Sequence, residues 1–184
     1  MVRASLISSF GQIAPVVVAI ALATGSGPVS AQGQATEAEL KAAIMSNMLL
    51  FVEWPNRHAL PEEQLTICFH EASPVASALL RLSGKQIKGR NLNVAQLAST
   101  RIADCQALYI SPANGPIVSQ LVASAGSNPV LLIGDSTSYL RQGIMLNLAL
   151  DETHVVFDID LRATHRAGLQ ISSKALRLAR QVIE

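Results

Sequence analysis

The sequence predicts an α/β domain: a three-layer sandwich around a mixed, mostly parallel sheet, closed by a C-terminal β-hairpin plus helix. Three observations carry this. Between residues 64 and 134, short apolar runs alternate with segments of helical spacing, each pair separated by Pro, Gly or Ser. The run 129–134 (PVLLIG) is apolar at consecutive positions, which suits a strand covered on both faces. Two alternating segments flank Asp151-Glu152, the pattern of a hairpin.

The elements follow in order. Residues 32–35 are a short polar lead-in. Thr36-Glu37-Ala38-Glu39 then fits a capping box, with Thr36 as N-cap and Glu39 three residues on. Behind it Leu40, Ile44, Met48 and Phe51/Val52 recur at helical spacing, and Pro55 stops the run. Residues 64–70 (QLTICFH) read as a strand. Ser73-Pro74 opens a helix through about Leu82 with Pro at N1, and Gly84 closes it. Residues 91–97 form a short strand and 107–111 (ALYIS) a buried one, followed by a helix over 115–123. After the PVLLIG strand, residues 136–140 make a helical turn. In 143–150, Ile144, Leu146, Leu148 and Leu150 alternate with Met145, Asn147 and Ala149, a half-buried strand. Across the turn Val155, Phe157, Ile159 and Leu161 face one way and His154, Asp158 and Asp160 the other. The tail 173–183 reads as a helix with Leu176, Ala179 and Ile183 inward.

Residues 1–31 stand apart. Arg3 is the only charge, residues 13–23 are apolar, and Val29-Ser30-Ala31 ends the stretch in a small-x-small pattern. That is the form of a secretory signal peptide cleaved after Ala31; the apolar run is about half of the ~20 residues a membrane span needs. Residues 36–184 then form a single exported domain. The mature chain carries 13 basic and 13 acidic residues and so has no formal net charge. Nucleic acid as the main partner needs a basic face, which this balance does not supply. The 2 Cys and 4 His argue against a structural zinc module. In an oxidising compartment Cys68 and Cys105 favour a disulfide over free thiols, and no C-x-x-C pair suggests thiol exchange.

Taken together, several segments resemble the YfiR family of exported proteins. The first helix carries Lys41-Ala42-Ala43 and ends Phe51-Val52-Glu53-Trp54-Pro55. Thr66-Ile67-Cys68, Ser73-Pro74, Gly89-Arg90-Asn91-Leu92, Cys105, Pro129-Val130-Leu131 to Asp135 and Gly143-Ile144 follow in the family's order. Phe157-Asp158-Ile159-Asp160-Leu161, then Gly168-Leu169-Gln170-Ile171-Ser172-Ser173 to Leu176-Arg177-Leu178-Ala179, complete it. Departures are Gln142-Gly143 for a Gly pair, Asp160 where Asn is usual, and Ile44 for an aromatic. The resemblance implies a periplasmic, non-enzymatic regulator without a cofactor. It would bind and repress the periplasmic part of an inner-membrane diguanylate cyclase (YfiN-like), lowering cyclic di-GMP and biofilm formation. An outer-membrane lipoprotein that sequesters the regulator, and a homodimer, are further implied partners.

Other chemistry has its own signals. Gly134-Asp135-Ser136 and Asp151-x-x-His154 are similar to a GDS…DxxH hydrolase pattern, with Ser136 as nucleophile, His154 as base and Asp151 as its orienter. The two motifs flank one strand, whereas such hydrolases separate them by most of a domain; capping and turn roles serve Asp135, Ser136 and Asp151 equally well. A small-molecule binder with another output is a third reading. His154, Asp158 and Asp160 share a strand face that could hold a metal, but alternating polar residues on a hairpin need none. His58, His70 and His165 are scattered, and the mature chain has no Gly-rich phosphate loop. Trp54 is either a pocket wall or a helix-end anchor. Arg90 is either a surface charge or a contact for a partner's carboxylate. Asp158, Asp160, Arg162 and Arg166 are expected to form one exposed, charge-mixed partner surface, with Asp158→Lys relieving repression at an unchanged melting temperature.

Overall fold

The structure is a computed structural model that describes residues 35–55, 63–97 and 101–184, all within one compact unit, Gln34–Glu184. The expected signal peptide and most of the polar lead-in, residues 1–34, lie outside the described residues, as does His58.

The first helix, α1 (Glu37–Met48), starts at the expected capping box: Thr36 Oγ1 accepts from Glu39 N at 3.3 Å, and Glu39 Oε2 accepts from Thr36 N at 2.9 Å. Such a cap contributes about 1 kcal/mol. The buried face is turned by one residue from the expected one. Ala42, Met45, Met48 and Leu49 are buried, whereas Leu40 is 39% exposed. The stripe through Ala42, Met45 and Leu49 holds i, i+3, i+7 spacing, and choosing it brings Lys41 inward. A 3-10 turn, Leu49–Phe51, leads into β1 (Val52–Glu53).

The main sheet is built from β2 (Gln64–Phe69), β3 (Gln86–Ile87), β4 (Arg90–Gln96), β5 (Ala107–Ile110), β6 (Leu131–Gly134), β7 (Leu146–Asp151), β8 (His154–Asp160) and β10 (Gln181–Ile183). Their order across the sheet is β10-β8-β7-β6-β5-β2-β4-β3. All neighbours are parallel except the β3–β4 and β7–β8 hairpins. The sheet is therefore mixed and mostly parallel, as expected. A separate antiparallel pair joins β1 to β9 (Gln170–Ile171). Between strands lie α2 (Pro74–Leu80), α3 (Val118–Ala125), α4 (Leu161–Arg166) and α5 (Ser173–Leu176). The crossover from β2 through α2 to β4 moves one way along the sheet, and the one from β5 through α3 to β6 moves the other. Right-handed crossovers in opposite directions put their helices on opposite faces, which makes the sandwich.

Burial in β6 matches its apolar run: Leu131, Leu132, Ile133 and Gly134 are all buried. For β7 the half-buried expectation is corrected. Leu146, Asn147, Leu148 and Ala149 are all buried, because the strand sits mid-sheet between β6 and β8, and Leu150 instead projects at its exposed end. The tail is also corrected: α5 ends at Leu176, and Gln181–Ile183 is a strand parallel to β8. The β3–β4 hairpin went unread because its turn, Lys88 (φ 51°) and Gly89 (φ 75°), puts a Lys where such turns favour Asn or Asp.

Gly134 closes β6 at a close approach. A Cβ there would stand 2.8 Å from Tyr139 Cδ2 and 2.9 Å from Asn147 Oδ1. We expect Gly134→Ala to lower stability by about 1–3 kcal/mol in urea unfolding, as overpacking of a rigid site does. An unchanged midpoint would mean that Tyr139 moves freely.

Candidate functional site

In a doubly wound sheet, ligands bind beyond the carboxyl ends of the strands, where successive crossovers leave for opposite faces. Here that point lies between β2 and β5. A cavity of about 550 Å³ opens there, within the ~300–1,000 Å³ range of ligand pockets. The N-cap and first turn of α2 contribute Ser73, Pro74 and Val75; Tyr109 and Pro112 come from β5 and its exit; Asp135 follows β6. The first turn of α1 forms the remaining wall.

The charged heart of the cavity spans much of the chain. Lys41 Nζ bonds Asp135 Oδ1 at 2.6 Å, with the two side chains 7% and 9% exposed. Glu37 Oε1 sits 2.5 Å from the same ammonium but is 48% exposed. Tyr109 Oη donates to Asp135 Oδ2 at 3.2 Å. Burial works against the Lys41 charge, yet the carboxylates of Asp135 and Glu37 outweigh it, and the ammonium's pKa is raised. Burial raises the Tyr109 phenol strongly, and the nearby Asp135 charge adds to it; Tyr139 is raised for the same reasons, burial first.

The rim is fixed by buried hydrogen bonds. Asn114 Oδ1 accepts from both Ser111 N and Ser111 Oγ at 3.1 Å, and its Nδ2 lies 3.3 Å from His70 Nδ1. Tyr139 Oη donates to the Ser111 carbonyl at 2.8 Å. The loops leaving β2 and β5 are thus tied to each other before any ligand arrives. Ser111–Asn114 and Tyr139 hold the backbone, and Lys41, Asp135 and Tyr109 supply the polar groups. Sequence reading assigned Asp135 a cap or a hydrolase motif and passed over Lys41 and Tyr109. The available signal was an acidic residue directly after the most apolar parallel strand.

Cys68 and Cys105 form a disulfide with Cα atoms 5.8 Å apart, linking β2 to the residue that leads into β5. Trp54 is half-buried against the core, and its Nε1 donates to the Gln106 carbonyl at 3.1 Å. It ties the chain just past β1 to the residue before β5 and is not among the residues lining the cavity. Arg90 Nη2 donates to the Gln64 carbonyl at 2.7 Å and holds the start of β2 to β4, so it is not a plain surface charge.

The hydrolase triad is not assembled. Ser136 N bonds Asn147 Oδ1 at 3.3 Å, whereas Asp151 and His154 close the hairpin four residues farther along β7, on the order of 13 Å away. His154 contacts Thr153 Oγ1 instead. Asp158 and Asp160 are otherwise engaged, and among the described residues no group of His, Cys, Asp and Glu is placed to hold a metal ion.

The expected exposed surface is corrected for two of its four members. Asp158 is buried under the tail: Arg180 Nε and Nη2 grip its two oxygens at 2.9 and 2.5 Å, while Arg180 N donates to the Phe157 carbonyl. Asp160 is buried as the N-cap of α4, accepting from Ala163 N at 2.9 Å. An Asn could cap equally well, so the Asp at this position preserves the local structure. Arg162 and Arg166 remain exposed on α4, and His165 beside them is exposed too. Asp158→Lys would set a second cation against Arg180 in a buried place. We expect it to cost about 2–4 kcal/mol, read as a lowered urea midpoint; an unchanged melting temperature would contradict the buried pairing.

Among the described residues no helix is long and apolar enough to cross a membrane. Two solved structures share the fold. A conserved domain protein from Vibrio cholerae O1 biovar El Tor aligns with a TM-score of 0.53 and 14% identity, over 80% of this chain and 60% of that one. The ABC domain from Streptococcus pneumoniae, solved in complex with L-Trp, aligns with a TM-score of 0.50 and 12% identity, over 79% and 60%. The chain therefore spans about 60% of the length of each. A family model described as DUF4154, YfiR/HmsC-like, matches residues 38–180, which takes in the cavity's Lys41 and Asp135, the disulfide and the Asp158–Arg180 clamp. The chain belongs to the YfiR/HmsC-like family of periplasmic regulators.

Proposed function

We propose that this chain is an exported periplasmic repressor. It binds the periplasmic part of an inner-membrane diguanylate cyclase and holds it inactive, lowering cyclic di-GMP and biofilm formation. The observation that carries this reading is the family match over residues 38–180, which spans every strand of the sheet but the last. On this reading residues 1–31 are a cleaved signal peptide, and the regulator acts without catalysis. A homodimer and an outer-membrane lipoprotein that draws it off the cyclase belong to the same proposal.

The exposed guanidinium groups of Arg162 and Arg166, one turn apart on α4, support a reversible contact with an acidic partner surface, where charge sets specificity and on-rate. The test is deletion in a strain that carries the partner cyclase, with cyclic di-GMP measured after complementation. Wild-type protein should restore low cyclic di-GMP, and Arg162→Glu/Arg166→Glu should fail to do so while keeping its melting temperature. Unchanged cyclic di-GMP on deletion would sink the cyclase reading. Full repression by the double variant would move the contact elsewhere.

A further inference from the structure

The cavity between β2 and β5 has an electrostatic bias. Its ionised lining among the described residues is Glu37, Asp135 and Lys41, a formal charge of −1. The one cationic donor among the described lining residues is committed. Lys41 serves both carboxylates, the Tyr109 hydroxyl serves Asp135, and Thr36 Oγ1 serves Glu39. Acceptors are not. A carboxylate offers about four lone-pair sites. Asp135 uses one on each oxygen and Glu37 one in all among the described residues, so both carboxylates keep open acceptor sites. An entering anion would meet two carboxylates whose only counter-charge among the described lining residues is already shared between them; an entering ammonium would neutralise the excess. Around this polar end stand Ala38, Pro74, Val75 and Pro112, small aliphatic walls, with Tyr109 as the aromatic residue among the described lining.

We propose that this cavity is a binding site for a small organic cation, a primary ammonium carried on a compact aliphatic body. The ammonium donates to Glu37 and to the open sites of Asp135, and the body rests on Pro74, Val75 and Pro112. Lys41 is a positioning residue: it fixes Asp135 while leaving its outer lone pairs to the ligand. Because Glu37 is half-exposed on the first turn of α1, it can turn onto the ammonium without disturbing the buried Lys41–Asp135 pair. The site stands independently of the cyclase reading, since binding is measured on the purified protein alone.

Three probes of one shape test it: cyclohexylammonium, cyclohexanol and cyclohexanecarboxylate, titrated at millimolar concentrations into the mature chain and followed through its backbone amide NMR signals. Cyclohexylammonium should saturate shifts at Ala38, Lys41, Val75 and Asp135, with the alcohol weaker and the carboxylate without saturation. Glu37→Gln, an exposed change that leaves the fold intact, should weaken cyclohexylammonium by about tenfold. Ala38→Leu, which fills the cavity from a helical position, should abolish binding. Saturation by the carboxylate in preference to the ammonium would overturn the assignment, as would an affinity unmoved by Glu37→Gln or by Ala38→Leu.

Discussion

Replacing both cysteines, Cys68→Ala/Cys105→Ala, lowers the unfolding free energy by about 4 kcal/mol. The bridge joins residues 37 apart in sequence, and that loop contains α2, β3 and β4. Releasing it returns conformational freedom to the unfolded chain, and for a loop of this length the chain-entropy relation gives a cost of that size. Both sulfurs are fully buried, so the replacement also removes apolar contact. For domains of about 150 residues the loss corresponds to a melting temperature lower by roughly 8–16 °C. Domains are stable by only about 5–15 kcal/mol, so repression in cells should weaken with it. Urea unfolding of the two proteins is the measurement. A difference below about 1 kcal/mol would show that the bridge adds little to what the β2–β5 pairing already enforces.

That bridge was legible because it needed only compartment chemistry and two cysteines, and the same holds for features governed by short-range rules. Thr36 and Glu39 announce a helix start, Ser73-Pro74 another, and PVLLIG a covered strand; each stands where local chemistry put it. What was not legible depends on partners far off in the chain. Alternation in β8 groups Asp158 with Asp160 correctly, but a period of two tells which residues share a face and not whether something covers it. The tail covers Asp158, through an Arg180 clamp that no spacing rule announces. The tail itself holds apolar residues at helical intervals, yet the chain uses Val182 and Ile183 as β-branched strand residues at the open edge of β8. The cavity is the extreme case. Lys41 looks like a solvated helix residue until the fold brings it to Asp135, 94 residues away. The strand order that creates the crevice follows from which crossovers reverse direction, and a linear sequence does not state that.

Asp135→Asn should be the most damaging single substitution at the cavity, at about 3–5 kcal/mol, because it leaves the Lys41 ammonium buried with only the half-exposed Glu37 beside it. The double variant Lys41→Met/Asp135→Asn should recover a good part of that loss, giving a coupling of about 1–3 kcal/mol in a double-mutant cycle. The pair also predicts a pH dependence. The Lys41 ammonium is held above its ordinary value in the folded state, so its stabilisation is complete below the unfolded lysine value of about 10.4 and fades as pH rises through the folded one. The Tyr109 phenol is raised by burial, then by Asp135. The unfolded phenol ionises above about pH 10 while the folded one stays protonated, so stability again falls as pH rises. The two effects have the same sign and the same alkaline window. Wild-type urea midpoints should therefore drop steeply above about pH 10, and the double variant, which lacks the Lys41 contribution and the Asp135 charge that helps raise Tyr109, should drop less. Equal alkaline slopes for the two proteins, or additive losses in the cycle, would show that Lys41 and Asp135 do not act as a buried pair.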